Sequence, residues 1–215
     1  MNRQKFYTAI ALLILFALWT AAVSLVDVQA IGPKGTAVGF ATVNGAVHRT
    51  TGVHMSLYHI TDWLGLVPVG VCFGFAVLGL TQWIRRKSIL KVDQSILVLG
   101  GFYIVVMSAY ILFEYVVINY RPVLIRDFLE VSYPSSTTLL VLCVMPTTLM
   151  QLNSRIKAPI VRKCVTLVID AFILFMVIGR LVSGVHWFTD IVGGVLLSAG
   201  LVLMYDSVAG GNGNE

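Results

Sequence analysis

His186 and Asp190 stand four residues apart in the C-terminal part of the chain, with Arg180 six residues before the histidine. On a helix, an i,i+4 spacing stacks two side chains on one face within hydrogen-bond reach. A carboxylate so placed fixes the imidazole tautomer and raises its basicity, leaving the far ring nitrogen free to attack an electrophile. Arg180 and the distant Arg121 carry planar forks that match the non-bridging oxygens of a phosphate, where a phosphoryl-transfer site must stabilise spread charge. Pro134 followed by Ser135, Ser136 and Thr137 reads as a helix start, whose free backbone N–H groups form an anion site. These residue types and spacings point to attack by histidine on a phosphate.

Each element also has a plain structural reading. An arginine at the end of an apolar run snorkels to lipid headgroups, Ser-Ser-Thr caps a helix, and a His–Asp pair at i,i+4 is a packing hydrogen bond. What favours function is the setting, because ionisable residues at the ends of membrane spans are costly and tend to serve a site.

That setting follows from composition. Of 215 residues, 58% are hydrophobic and 12% charged, against about 25% charged in a soluble domain. The formal charge of +5 does not indicate nucleic acid, because the basic residues lie in short clusters between apolar runs. These runs cover Phe6 to Val26, Leu64 to Ile84, Ser95 to Val117, Ser135 to Leu152, Val165 to Val182 and Trp187 to Val208. Roughly 20 apolar residues cross the hydrocarbon core as a helix, and runs without period-2 alternation favour helices over a barrel. The expectation is an all-α integral membrane bundle of six transmembrane helices, one domain over residues 1–208, with residues 209–215 a disordered cytoplasmic tail. The first run is read as an uncleaved span rather than a signal peptide. Cys72, Cys143 and Cys164 sit singly and read as free thiols.

Arg3 and Lys5, then Arg85, Arg86, Lys87 and Lys91, then Arg155, Lys157, Arg162 and Lys163 flank alternate ends of the runs. By the positive-inside rule those ends face the cytoplasm, as do both termini. Two segments then lie outside. In the first, about 28–62, Met55 to Ile60 mixes apolar and polar residues as an interfacial lid or access helix does. The second, Asn119 to Pro134, is short and charged.

The outer ends carry Glu114-x6-Arg121-Pro122, Pro134-Ser135-Ser136-Thr137 and Gly179-Arg180-x5-His186-x3-Asp190. In order, spacing and position these resemble the three motifs K-x6-R-P, P-S-G-H and S-R-x5-H-x3-D of the type 2 phosphatidic acid phosphatase superfamily, membrane lipid phosphatases related in fold to vanadium haloperoxidases. The likeness covers about residues 95–208. It implies that His186 is a nucleophile forming a phosphohistidine and that Asp190 orients it. It further implies that Arg121, Arg180, Ser135 and Ser136 bind phosphate oxygens and that neither metal nor cofactor is needed. The implied partner is a phosphorylated lipid among membrane lipids, at the extracytoplasmic face of a bacterial plasma membrane; a homodimer is left open.

Two departures from the pattern bear on the chemistry. Glu114 stands for the motif lysine and Thr137 for the second histidine, which protonates the leaving group. Both, with Tyr120, are taken as site-lining. Glu114 needs a cationic partner, either Arg121, Arg126 or a substrate cation. His48, His54 and His59 are alternative acids, or solvated loop residues. An alkoxide leaving group has a conjugate acid near ~16 and a phosphate near ~6–7, so only the second departs unaided. The chain therefore reads as a lipid phosphatase favouring diphosphates, or as a catalytically impaired relative that binds or moves a phosphorylated lipid. A small-solute transporter lacks the inverted repeat it would need.

Overall fold

In lipid, a backbone has no water to bond with, so each apolar run must satisfy its own N–H and C=O groups as a helix. The computed structural model describes residues 2–209. It contains α1 (Arg3–Leu25), α2 (Ala41–Thr51), α3 (Met55–Leu64), α4 (Leu66–Arg86), α5 (Gln94–Tyr115), α6 (Ser136–Asn153), α7 (Pro159–Val182) and α8 (Phe188–Ala209). Ala209 closes α8, and the rest of the expected tail, residues 210–215, lies outside the described residues.

The six long helices occupy the six apolar runs. Five stretches are long and apolar enough to cross a membrane: α1, α5, α7, α8 and the nearly continuous Met55–Arg86. The exception is α6, of 18 residues. It packs against α4, α5, α7 and α8, so it meets protein rather than lipid and tolerates a polar stripe. That stripe is bonded internally, with Thr147 Oγ1 donating to the Cys143 carbonyl at 2.8 Å and Gln151 Nε2 to Tyr205 Oη at 2.7 Å. Outward, Phe73, Ile104 and Leu167 are 70%, 69% and 70% exposed. Apolar exposure on this scale needs lipid as the solvent, and the chain is a multi-pass membrane protein.

α1 runs antiparallel along α8. Asn2 N–H donates to the Ser207 carbonyl at 3.0 Å, Lys5 Nζ pairs with Asp206 at 2.6 Å, and at the other end Trp19 Nε1 donates to the Thr189 carbonyl at 3.2 Å. Midway, a Cβ on Gly200 would come within 2.7 Å of Leu13; a larger residue would force the helices apart. Thr20 Oγ1 and Tyr133 Oη share a hydrogen bond of 2.7 Å, which ties this pair to the segment before α6.

The stretch 28–62 is more ordered than a Gly-rich loop with one interfacial helix. It forms α2 and α3, and α3 passes into α4 through Gly65 alone. The buried Asn44 of α2 donates from Nδ2 to Thr189 Oγ1 at 3.0 Å and accepts from Thr189 N–H at 3.2 Å, so the outer segment is locked onto the start of α8.

Candidate active site

The segment between α5 and α6 looks irregular in sequence but folds back as a hairpin. Tyr120 bridges Val131 and Ile125 bridges Phe128, while Arg121 N–H donates to the Glu130 carbonyl at 3.0 Å and Ser132 N–H to the Asn119 carbonyl at 3.1 Å. Arg126 and Asp127 at the tip both have positive φ, which a two-residue hairpin turn of type I′ requires. In an antiparallel pair alternate residues share a face, so Asn119, Arg121, Glu130 and Ser132 all face the same way. Arg126, at the exposed tip, is carried away from them.

His186 and Asp190 do not stack on one helix, as their spacing suggested. Gly184, at φ 69°, ends α7 in the left-handed region, and a Cβ there would meet the Gly52 carbonyl oxygen at 1.9 Å. The chain re-enters a helix only at Phe188, so His186 lies in the turn and Asp190 in the first turn of α8. Asp190 Oδ2 accepts from Trp187 N–H at 2.8 Å, which caps the helix in the manner of a capping box.

The histidine and aspartate are joined through a third residue. His186 Nδ1 lies 3.7 Å from Asp190 Oδ2, too far for a hydrogen bond. Ser132 Oγ fills the gap, 3.1 Å from Nδ1 and hydrogen-bonded to Asp190 Oδ2. Because the serine's only hydrogen goes to the carboxylate, its oxygen must accept from Nδ1–H. Arg180 Nη2 lies 3.0 Å from His186 Nε2; a guanidinium can only donate, so Nε2 carries the lone pair. Both ends of the ring therefore specify the same tautomer. Asn119 Nδ2 adds a 3.0 Å bond to Asp190 Oδ1. Burial, then the charges of Arg121 and Arg180, hold the His186 imidazole well below its ordinary pKa, which keeps it neutral and nucleophilic. Asn119 and Ser132 were not singled out from sequence. The signal was there, in residues alternating on either side of the Arg126-Asp127 turn.

Arg180 is 1% exposed and Arg121 is buried. The ring of Tyr58, from α3, lies near both, 5.7 Å from the Arg121 guanidinium carbon and 5.1 Å from that of Arg180, and attracts both cations. Arg121 Nε is 3.2 Å from Glu130 Oε2 but out of line for a hydrogen bond. Among the described residues Arg121 Nε and Nη1 and Arg180 Nε have no hydrogen-bond partner. A buried unmet donor costs roughly 1–3 kcal/mol, which an anion seated between the two forks would recover.

Other expected residues fall differently. Ser135 Oγ turns inward and accepts from Thr138 Oγ1 at 3.0 Å, and Ser135 N–H donates to the Asp190 carbonyl at 3.1 Å, so this serine caps α6 and braces α8. Ser136 and Thr137 border a cavity of about 430 Å³ with Asp62, Gly65 and Tyr110. Glu114 is exposed at the end of α5 beside Tyr110, Ser132 and Ser136, and among the described residues it forms no ion pair; the partner of Arg121 is Glu130. Tyr120 contributes its carbonyl, which accepts from Trp187 Nε1 at 2.8 Å. The three outer histidines are on or beside helices rather than in a loop: His48 is half-buried, 5.5 Å from the Trp187 ring, and His54 and His59 are exposed. Among the described residues no cluster of His, Cys, Asp or Glu has the grouping to hold a metal.

Fold and site together define an all-helical membrane protein with a neutral histidine beneath two buried arginines. Residues 115–210 match the sequence model of the PAP2 superfamily. A solved structure described as the crystal structure of the first transmembrane PAP2 type phosphatidylglycerolphosphate phosphatase from Bacillus subtilis has the same fold, with a TM-score of 0.56 and 19% identity over 97% of this chain and 98% of that one. No curated protein sequence matches the chain.

Proposed function

We propose that the protein is a membrane lipid phosphatase that cleaves a lipid diphosphate through a phosphohistidine at His186. The observation that carries this is the lone pair on His186 Nε2, held toward Arg180 by the Ser132–Asp190 relay. In the proposed first step Nε2 attacks the terminal phosphorus, the N–P bond forms, and the bridging P–O bond breaks with its electron pair leaving on the lipid phosphate. Arg121, Arg180 and the open N–H groups of Ser136 and Thr137 take up charge on the non-bridging oxygens. Water then attacks phosphorus and returns the electron pair to Nε2. The match of residues 115–210 to the PAP2 superfamily model and a fold shared with a protein described as a phosphatidylglycerolphosphate phosphatase support this reading.

A lipid substrate is supported by two joined cavities. One, of about 950 Å³, lies between α4 and α5 and is lined by Phe73, Leu80 and Ile104; it shares Val69, Cys72, Tyr103 and Met107 with the 430 Å³ cavity that borders Thr137. An acyl or prenyl chain can follow this path through apolar surroundings to Ser136 and Thr137 at the start of α6. The basic clusters lie at the opposite end of the bundle, so the site faces the cell exterior or periplasm of a bacterial plasma membrane.

The test is release of inorganic phosphate from lipid diphosphates and lipid monophosphates by the purified protein in detergent. Release from neither class overturns the reading in favour of a non-catalytic relative that binds or moves a phosphorylated lipid, which the threonine at 137 would suit. The buried, arginine-flanked imidazole also sets a pH dependence. Protonation destroys the nucleophile, and the lowered pKa postpones protonation to more acid solution. The acid limb of kcat/KM is expected below the ordinary imidazole value of about 6.5; a limb at or above it would contradict the assignment. Ser132→Ala removes the relay without touching substrate. It is expected to lower kcat up to about 10²-fold, as misplaced reacting groups do, with KM little changed and activity recovered in Ser132→Thr.

A further inference from the structure

Thr137 is too weak a base to take a proton from water at neutral pH, yet a phosphohistidine is discharged by water, and that water must lose a proton. The other face of Arg180 offers a group for this. Its Nη2 meets His186 Nε2 at 3.0 Å, while its Nη1 meets Asp62 Oδ1 at 3.6 Å and Thr61 Oγ1 at 3.5 Å. One guanidinium therefore touches the nucleophile through Nη2 and a carboxylate through Nη1, and the water that discharges a phosphoryl group held by Arg180 attacks in line, from the side away from His186. The Asp62 side chain is 54% exposed and shares the 430 Å³ cavity with Ser136 and Thr137, so it reaches both solvent and the position where the motif has its second histidine.

A second departure from the motif makes this approach possible. The motif serine before the arginine is Gly179 here, and a Cβ at that position would lie 2.8 Å from Thr61 Cγ2 and 3.7 Å from Leu57. The glycine lets α3 close onto α7, and α3 brings Tyr58, Thr61 and Asp62 to Arg180. At Gly65, one turn after Thr61, a Cβ would stand 3.4 Å from Thr137 Cγ2, so the same helix end also abuts residue 137. The loss of the serine and the loss of the histidine thus meet at one place, the last turn of α3.

We propose that Asp62 is the base that discharges the phosphoenzyme, a role that rests on the phosphohistidine reading above. Its carboxylate takes a proton from the attacking water as the new P–O bond forms. The N–P bond breaks with its electron pair returning to Nε2, Nδ1–H stays on Ser132, and the proton passes from Asp62 to solvent as phosphate leaves. Positioned acid–base groups contribute about 10²–10⁴-fold, so removal of this one slows discharge while leaving phosphorylation intact.

The experiment is single-turnover rapid quench of the full-length protein with a lipid diphosphate carrying ³²P in its terminal phosphate, comparing wild type, Asp62→Asn and Asp62→Ala. Both variants are expected to label to wild-type amplitude and to lose the label at least tenfold more slowly, and added formate is expected to speed the loss in Asp62→Ala. Discharge at the wild-type rate overturns the proposal, as does a folded variant that fails to label, since Asp62 would then only hold Arg180 in place. Should Asp62→Asn not fold, the formate dependence of Asp62→Ala decides alone, its absence overturning the proposal. A wild-type protein that releases phosphate without ever labelling overturns the phosphohistidine itself, a failure distinct from normal discharge in the Asp62 variants.

Discussion

His186→Ala should abolish phosphate release and ³²P labelling together. The side chain is the nucleophile of the proposed mechanism, and no neighbour can replace it: Ser132 Oγ is committed to Asp190, and Arg180 has no lone pair to offer. Removing a nucleophile lowers kcat on the order of 10³-fold or more, because what is left is binding and charge stabilisation alone. The two arginine forks and the α6 N-terminus are untouched by the substitution, so binding of a lipid phosphate should persist within a few-fold. This separates the two readings of the protein. Loss of turnover with retained binding is the result for an enzyme, and unchanged slow phosphate release in the variant would mean that the wild-type signal never came from this site.

The second large effect concerns which lipid is cleaved. With Thr137 where an acid would stand, the first step depends on a leaving group that departs without a proton. A phosphate does so, with a conjugate acid near ~6–7, whereas an alkoxide, near ~16, does not. Turnover of a lipid diphosphate is expected to exceed that of a phosphate monoester such as phosphatidic acid by at least about 10²-fold, the lower end of what general acids contribute. Thr137→His should raise monoester turnover about 10- to 100-fold and leave diphosphate turnover within a few-fold. Thr137 borders an open cavity rather than packed core, so an imidazole has room there. Equal rates on both classes in the wild type would remove the link between residue 137 and substrate choice. Asp62 does not remove this selectivity, because a carboxylate can accept a proton from water but has none to give an alkoxide.

How much of this could be read from the sequence depends on the range of the interaction involved. The six long helices were legible because a bilayer leaves an apolar run little choice. Arg121, Arg180, His186 and Asp190 were legible as a set because they are the rare polar residues at span ends. The relay was not. Ser132 joins His186 to Asp190 only because Gly184 breaks the helix before His186 and a hairpin turns Ser132 inward, and neither is visible in an i,i+4 spacing. Of the partners weighed for Glu114, Arg121 pairs with Glu130 instead, since the hairpin register sets residue 121 against 130. Ser135 was given a phosphate, but its bonds to Thr138 and Asp190 are those of a cap. Asp62 lay in a segment read as a loop with an interfacial helix, and only the close approach of α3 at Gly179 brings it to Arg180.

The lengthwise pairing of α1 with α8 bears on how the protein is made. A ribosome delivers α1 first and α8 after every other described span, so the first helix waits in the membrane through most of synthesis without its partner. Contacts this distant along the chain form late, and the turn bearing His186 is seated by Trp19 and Asn44, both from the N-terminal quarter. The site can take shape only after the chain's two extremes have found each other, so a protein stalled before α8 should already be inserted in the bilayer yet inert.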